Sequence, residues 1–314
     1  MRRRQVLGTV LGGAAWAAVA GVRGGSSGAV ADGLTPGFSL YGMKSLALSE
    51  AVEFCAATGY SHVEMVLNAG YPTEPSIFDA AARRGAAEQL RRLKLGLPAL
   101  MVLMSLTADA EAHARSLEMI AVAGAMGKEL VGAEQQPPVL ETVLGGQPAK
   151  WESQKTGMLS QLKDWAAIAE KAGIVIAIKA HVGSAVNEPE RLLWLLDEVK
   201  SPSIQVVYDY SHFQLQGRGL EETLRLLLPR TRLIHVKDSV GDVNKFRFVL
   251  PGEGRTDYVE YYSLLLSLGY GGPVCVEVSG QVFQQPGYDA RAAARSCWAV
   301  LSGALKEARG SSVE

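Results

Sequence analysis

The chain alternates short runs of apolar or β-branched residues with longer runs in which apolar positions recur at helical spacing. This alternation is typical of βα units around a parallel sheet, and near-continuous apolar runs such as residues 174–178 indicate strands buried on both faces. We predict strands at Phe38–Gly42, His62–Val66, Leu97–Leu103, Lys128–Val131, Ile174–Lys179, Ile204–Tyr208, Leu233–Val236 and Pro273–Glu277. We predict helices near Leu46–Ala57, Ile77–Leu93, Ala108–Met126, Trp151–Ala172, Glu188–Val199, Leu220–Leu228, Tyr258–Leu268 and Ala290–Glu307.

Eight such units predict a (β/α)8 TIM barrel, an α/β fold in which one closed sheet forms a single domain. The 314 residues accommodate a barrel of roughly 250 residues together with extensions. Glycines just before predicted strands are expected to end the preceding helices in the left-handed conformation, at Gly59, Gly127, Gly173 and Gly269. Residues 133–150 contain three prolines and two adjacent glycines, and we predict that they form a loop over the active-site mouth.

The first 31 residues differ in composition from the rest of the chain. Three arginines, Arg2 to Arg4, precede a charge-free segment that runs from Gln5 to Gly21, and a small-residue stretch ends in Ala29-Val30-Ala31. This order is typical of a secretory signal peptide, and the arginine pair resembles the twin-arginine export pattern. We predict a signal peptide at 1–31 and an exported domain at 32–314, in the periplasm or outside the cell. An uncleaved membrane anchor is the alternative, but the apolar segment falls short of the ~20 residues that span a bilayer.

Charge and cysteine usage limit the possible partners. The formal net charge is -1, from 31 Lys and Arg against 32 Asp and Glu, and no basic stripe marks a nucleic-acid surface. The three cysteines are widely spaced in apolar stretches, so we expect small buried residues rather than disulfides. A small-molecule ligand is therefore expected, without nucleic acid and without stable membrane association of the mature domain. A homo-oligomer is compatible with the sequence.

Titratable residues follow each of the last four predicted strands. In a (β/α)8 barrel the carboxyl ends of all strands meet at one face, where active sites lie. Three of the five histidines in the chain fall at these ends, which favours a functional site over isolated hydrogen bonds to loop backbone. The residues are Lys179 and His181 after the fifth strand, Asp209 and His212 after the sixth, His235, Lys237 and Asp238 after the seventh, and Glu277 at the eighth.

Several motifs at these positions resemble those of a known family. They are Asp209-x-x-His212, His235-x-Lys237-Asp238, Pro251-Gly252-Glu253-Gly254, Gly269-Tyr270 and Val276-Glu277. In this order they resemble the xylose isomerase-like sugar phosphate isomerase/epimerase superfamily, over roughly residues 38–306. No single motif is decisive, but the ordered set is specific.

The resemblance implies one divalent metal ion, such as Mn, Zn, Mg or Co, held by Asp209, His235 and Glu277. The family's fourth ligand is a glutamate after strand five, where this chain has Lys179. We expect a three-ligand metal site completed by His181 or water, with a deprotonated Lys179 as a possible base. Alternatively, the Lys179 ammonium replaces the cation in a metal-free clamp, or it forms a salt bridge in a decayed site.

The same strand ends and their surroundings supply the predicted catalytic and substrate-binding residues. Lys179, Glu277 and His212 are predicted catalytic residues, and His181 is a predicted substrate ligand. Further predicted substrate contacts are Glu64 at the end of strand two, Lys237, Asp238, and Arg247 on a lid near the Pro251–Gly254 turn. Each of these predictions has an alternative. Glu64 could form a salt bridge at the barrel rim, and Lys237 could pair with Asp238. The Pro251–Gly254 segment could be a simple turn without a lid.

The resemblance implies a sugar or polyol isomerase or epimerase that removes a proton next to a carbonyl, with metal or ammonium stabilising the enediolate. The same site would also serve a lyase or dehydratase acting on a keto-sugar, because the intermediate can expel a neighbouring group. A non-catalytic exported carbohydrate-binding barrel is a further alternative, suggested by Lys179. An apurinic endonuclease of the same superfamily is disfavoured by the five histidines and the -1 net charge.

Overall fold

Eight parallel strands close into a barrel in the computed structural model, which describes residues 34–106, 109–132 and 134–311. The order around the barrel is β1-β10-β7-β6-β5-β4-β3-β2, and β8 and β9 form a separate antiparallel hairpin. The strands are β1 Pro36–Ser39, β2 His62–Val66, β3 Gly96–Met101, β4 Val139–Thr142, β5 Ile176–Lys179, β6 Ile204–Asp209, β7 Thr231–Val236, β8 Asp238–Asp242, β9 Lys245–Val249 and β10 Val274–Val276. The helices are α1 Leu48–Thr58, α2 Ala80–Leu93, α3 Ala110–Val131, α4 Trp151–Ala172, α5 Pro189–Val199, α6 Tyr210–Gln214, α7 Leu220–Leu227, α8 Tyr258–Ser267, α9 Gly280–Phe283 and α10 Ala290–Ser311. The predicted single-domain (β/α)8 barrel is confirmed.

Alternation along each strand divides its side chains between the helices and the barrel interior. Residues that point outward join the helices in one large core cluster, which includes Phe38, Ile178 and Tyr208. The middle layer of the interior is a smaller cluster, formed by Ala99, Ala177, Val207, Leu233 and Cys275. Residues two positions further along these strands also point inward, so the next layer lies at the carboxyl end of the barrel.

The amino-terminal end of the barrel is filled by His62. Its Nε2 lies 3.2 Å from the carbonyl oxygen of Val274, and its Nδ1 lies 2.9 Å from the hydroxyl of Ser61. A Cβ on Gly37 would lie 2.0 Å from the imidazole ring, so only glycine leaves room for it. Burial lowers the pKa of His62 to about 4. The imidazole is therefore neutral and has a packing role.

The predicted fourth strand, Lys128–Val131, is wrong. Those residues are the last turn of α3, and Gly127 lies inside this helix rather than at its end. A Cβ on Gly127 would lie 3.0 Å from Pro138, so this glycine permits the chain leading into β4 to approach the helix closely. The true strand β4 lies within residues 133–150, which we had predicted to be a loop.

The predicted signal peptide at 1–31 lies outside the described residues. Within the described part of the chain, every helix is too short or too polar to cross a membrane.

Candidate active site

The top layer of the barrel interior consists of charged side chains. Lys179 ends β5, Asp209 ends β6, His235 lies near the end of β7, and Glu277 follows β10. Asp209 and His235 are register partners on adjacent strands, and His235 pairs with Cys275 on the other side. Each of these residues lies two positions after a member of the apolar middle layer, which explains why they point inward together.

Lys179 lies at the centre of this layer, with 3 % of its surface exposed. Its Nζ donates to Glu277 Oε1 at 2.8 Å and lies 3.1 Å from both Glu141 Oε1 and His235 Nδ1. Burial alone would lower the pKa of Lys179, but Glu141 and Glu277 raise it above its ordinary value. The side chain is therefore an ammonium group here, and these surroundings do not support the deprotonated base that we considered.

A second ammonium group, that of Lys237, lies beside the first. It continues the inward alternation of β7 and bridges two acids, donating to Asp209 Oδ2 and, at 2.5 Å, to Glu277 Oε2. The predicted alternative of a Lys237–Asp238 pair is wrong. Glu277 thus receives one ammonium group on each oxygen. Burial would raise the pKa of Glu277, but Lys179 and Lys237 hold it well below the ordinary value, so Glu277 is a carboxylate.

Glu141 belongs to this layer and is absent from the sequence-based list of candidates. It is fully buried on β4, and neither of its oxygens has a partner in hydrogen-bond geometry, although Oε1 is within ion-pair distance of Lys179. Burial raises the pKa of Glu141 despite the nearby ammonium group. The apolar pair Val139-Leu140 is too short to predict a strand by itself, and the preceding Pro137 and Pro138 favour a loop.

Glu64 is also fully buried, on β2, and the predicted alternative of a rim salt bridge is wrong. Its Oε1 lies 3.2 Å from His235 Nε2. The other nitrogen, His235 Nδ1, lies 3.8 Å from Glu277 Oε2 and faces the two lysines. Burial would lower the pKa of His235, but the Glu64 carboxylate raises it above its ordinary value. In the neutral ring, a hydrogen bond from Lys179 to Nδ1 would place the proton on Nε2, toward Glu64.

Asp209, His235 and Glu277 form a donor set that could hold a divalent metal ion. One ligand atom from each lies within 4.8 Å of the others, and all three residues are buried. Glu64 on the far nitrogen of His235 is the kind of carboxylate that orients a histidine ligand. The donor set fits a metal in its chemistry, but the Lys237 ammonium contacts two of its three members.

Two histidines and a phenylalanine line one side of the cluster. The ring centroids of His181 and His212 are 4.2 Å apart. The ring centroid of Phe248, in the β8–β9 hairpin, lies 5.0 Å from that of His212. Burial lowers the pKa of His181 to about 4 and that of His212 below its ordinary value, with Lys179 and Lys237 adding to both shifts.

His212 presents a hydrogen-bond donor to the cluster. Its Nδ1 accepts the backbone N–H of Val182 at 3.3 Å, so the neutral ring carries its proton on Nε2. That nitrogen lies 3.5 Å from Asp209 Oδ2 and has no hydrogen-bond partner among the described residues.

Aromatic side chains line the opposite side. Tyr41 stacks on Tyr71 with ring centroids 5.8 Å apart and meets Phe283 edge-on at 5.0 Å. Burial raises the pKa of Tyr41, and the negative charge of Glu277 raises it further. None of these three residues was predicted as part of the site, because an isolated aromatic residue carries no periodic signal.

Two predicted substrate contacts lie elsewhere. Asp238 accepts the backbone N–H groups of Gly252, Gly254 and Thr256, so it anchors the Pro251–Gly254 turn. Arg247 is exposed on β9, and alternation places it on the opposite face of the hairpin from Phe248. The hairpin therefore approaches the cluster through Phe248, and the contact of Arg247 with substrate stays a prediction.

Comparisons with known proteins agree with this architecture. The chain is 25% identical over 167 residues to an inosose dehydratase of Geobacillus kaustophilus, covering 48% of this chain and 53% of that protein. It is 22% identical over 188 residues to an inosose dehydratase of Halalkalibacterium halodurans, covering 55% and 61%. The chain thus spans little more than half the length of these curated relatives.

Solved structures share the fold at low identity. A structure of the IOLI protein with a bound zinc atom superposes with a TM-score of 0.72 at 19% identity, covering 87% of this chain and 98% of that one. An L-ribulose 3-epimerase superposes with a TM-score of 0.68 at 16% identity, covering 89% and 97%. A family model described as xylose isomerase-like TIM barrel matches residues 52–298, so the chain belongs to that family.

Proposed function

We propose that the chain is an enzyme that removes a proton next to the carbonyl of a sugar or sugar-derived ketone. The observation that carries this proposal is the arrangement of Glu277 between two ammonium groups at the carboxyl end of the barrel. A carboxylate can accept the proton, and adjacent cations stabilise the negative charge that develops on the oxygens. The named activities of the relatives, dehydration of an inosose and epimerisation of a ketose, both fit such a step.

Substrate binding would redistribute the charges of the cluster. When Lys179 and Lys237 donate to the carbonyl and hydroxyl oxygens of the substrate, they interact less with Glu277. The pKa of Glu277 then rises toward its ordinary value, and its carboxylate becomes a stronger base. His212 Nε2–H supplies a third donor for a substrate oxygen. A divalent ion held by Asp209, His235 and Glu277 would supply Lewis-acid stabilisation in place of the two ammonium groups.

A dehydratase is the second candidate, and Glu141 favours it. A buried carboxyl group with a raised pKa keeps its proton to a higher pH than an exposed one, so Glu141 could protonate a departing hydroxyl group. In an isomerase or epimerase, the Glu141 carboxyl group would instead donate its proton to carbon. A non-catalytic carbohydrate-binding barrel would use the same donors without proton transfer.

The experiment is a substrate screen. Purified protein is incubated with ketohexoses, ketopentoses and inososes, with and without added Mn²⁺, and products are identified by NMR. We expect turnover of at least one substrate class, and its loss in Glu277→Gln. Binding of these compounds without turnover of any of them would instead establish the binding protein.

A further inference from the structure

Lysine side chains contact at least one potential ligand atom of each residue in the metal donor set. The Nζ of Lys237 donates hydrogen bonds to Asp209 Oδ2 and Glu277 Oε2. The Nζ of Lys179 donates to Glu277 Oε1 and to His235 Nδ1. These are the lone pairs that a metal ion would need. Both lysines are at least 96 % buried and extend from barrel strands or their ends, which leaves little room for their withdrawal.

The charges of the cluster account for both lysines. Glu64, Glu141, Asp209 and Glu277 are four buried carboxyl groups in one barrel layer. Buried carboxylates require paired charges. Lys179 contacts Glu141 and Glu277, Lys237 contacts Asp209 and Glu277, and Glu64 contacts His235. A divalent ion placed among the same acids would lie next to two positive charges, and like charges repel strongly where solvent is excluded.

We infer that Lys179 and Lys237 are the resident cations of this site, and that a divalent metal competes with them for Asp209, His235 and Glu277 rather than binding alongside them. The inference deepens the proposed function, because it identifies the cation that faces the substrate oxygens. Metal binding can be measured without turnover, so a failed substrate screen and a failed metal prediction are distinguishable results.

The test measures metal affinity in full-length protein stripped of metal by a chelator. Mn²⁺ and Zn²⁺ are titrated by calorimetry into the wild type, Lys237→Met, Lys237→Arg and a control, Lys245→Met, at the exposed start of β9. We expect weak binding by the wild type, by Lys237→Arg and by the control. Lys237→Met should bind one ion about 10–100-fold more tightly, the range over which groups around a metal ligand change affinity.

Two results would overturn the inference. The first is tight stoichiometric metal binding by the wild type. This measurement uses no variant, so it tests the inference even if Lys237→Met does not fold. The second is unchanged or weaker affinity in a folded Lys237→Met. A second variant, Lys179→Glu, adds a carboxylate and removes a cation, so it should bind more tightly than the wild type by the same reasoning.

Discussion

Glu277 is the residue on which the cluster depends, because its two oxygens join the ammonium groups of Lys179 and Lys237. The three side chains extend from β5, from the end of β7 and from the end of β10, and each lies two positions after another inward-pointing residue of its strand. Removing one partner of a buried ion pair leaves the other charge unpaired, which costs about 3–5 kcal/mol in typical cases. Substitutions in this layer therefore need a stability measurement beside each activity measurement.

Lys179→Met should lower turnover on the true substrate by at least ~10²-fold, because it removes a cation from the reacting oxygens and a possible proton donor. The loss should exceed any fall in folded protein, measured by circular dichroism. A second variant, Lys179→Met with Glu141→Gln, should recover part of the lost stability, since it also removes a carboxyl group that the ammonium neutralised. Full activity in Lys179→Met would show that the lysine has only a structural role.

Glu141 should make the protein less stable as the pH rises. Its pKa is raised above 4.5 in the folded state, so the folded protein binds its proton more tightly than the unfolded chain does. The stabilisation is complete below pH ~4.5 and is lost as the pH rises through the folded pKa. Urea unfolding at several pH values should show a smaller decline for Glu141→Gln than for the wild type. Parallel curves for the two proteins would contradict the raised pKa.

Single residues were predictable where they followed an assigned strand. Asp209, His235 and Glu277 lie at positions that the alternation of their strands turns inward, and the structure brings them together as predicted. Glu141 was not predictable in the same way, because its strand had been assigned to a loop. Lys237 was predicted only to contact substrate. The sequence cannot show that its long side chain reaches two acids on other strands.

At the level of elements, α3 shows why the fourth strand was misplaced. A glycine before an apolar run usually ends a helix, but Gly127 serves close packing against Pro138 and the helix continues to Val131. Local pattern cannot distinguish these two uses of glycine, because the difference depends on a segment that packs from elsewhere. The prolines before β4 lie outside the strand and do not interrupt its ladder.

The β8–β9 hairpin should control the solvation of the paired histidines. Phe248→Ala would admit water to His181 and His212, so their pKa values should rise toward 6.5, that of His181 from about 4. Titration by NMR of the imidazole carbons measures both. Arg247→Ala, on the opposite face of the hairpin, is the matched control and should change neither. Unchanged pKa values in Phe248→Ala would mean that the hairpin does not exclude water.

At the scale of the whole molecule, seven of the eight strands were predicted at or near their observed positions, and the closed parallel barrel followed from their number. This success rests on the repetition of the βα pattern, which tolerates one misplaced strand because the remaining units still require a closed sheet. Predicting which side chains meet at the carboxyl end of the barrel requires the register between strands. No local sequence pattern contains that register.

Export is a separate prediction for the whole chain. We propose that residues 1–31 direct the protein out of the cytoplasm, on the basis of the arginine pair, the apolar segment and the Ala29-Val30-Ala31 site. Native protein should begin near Asp32, as determined by N-terminal sequencing, and Arg3→Lys with Arg4→Lys should leave the precursor inside the cell. An intact Met1 on cytosolic protein would contradict export.

We propose that Glu277, flanked by two ammonium groups, removes a proton next to a carbonyl, and deuterium exchange measures this step. A substrate ketone is incubated with the protein in D₂O, and NMR follows loss of the proton on the carbon beside the carbonyl. This exchange reports proton removal whether the product is an isomer, an epimer or a dehydrated sugar. We predict exchange with the wild type and a loss of at least ~10²-fold in folded Glu277→Gln. Substrate turnover without solvent exchange, or exchange that persists at the wild-type rate in Glu277→Gln, would contradict the account.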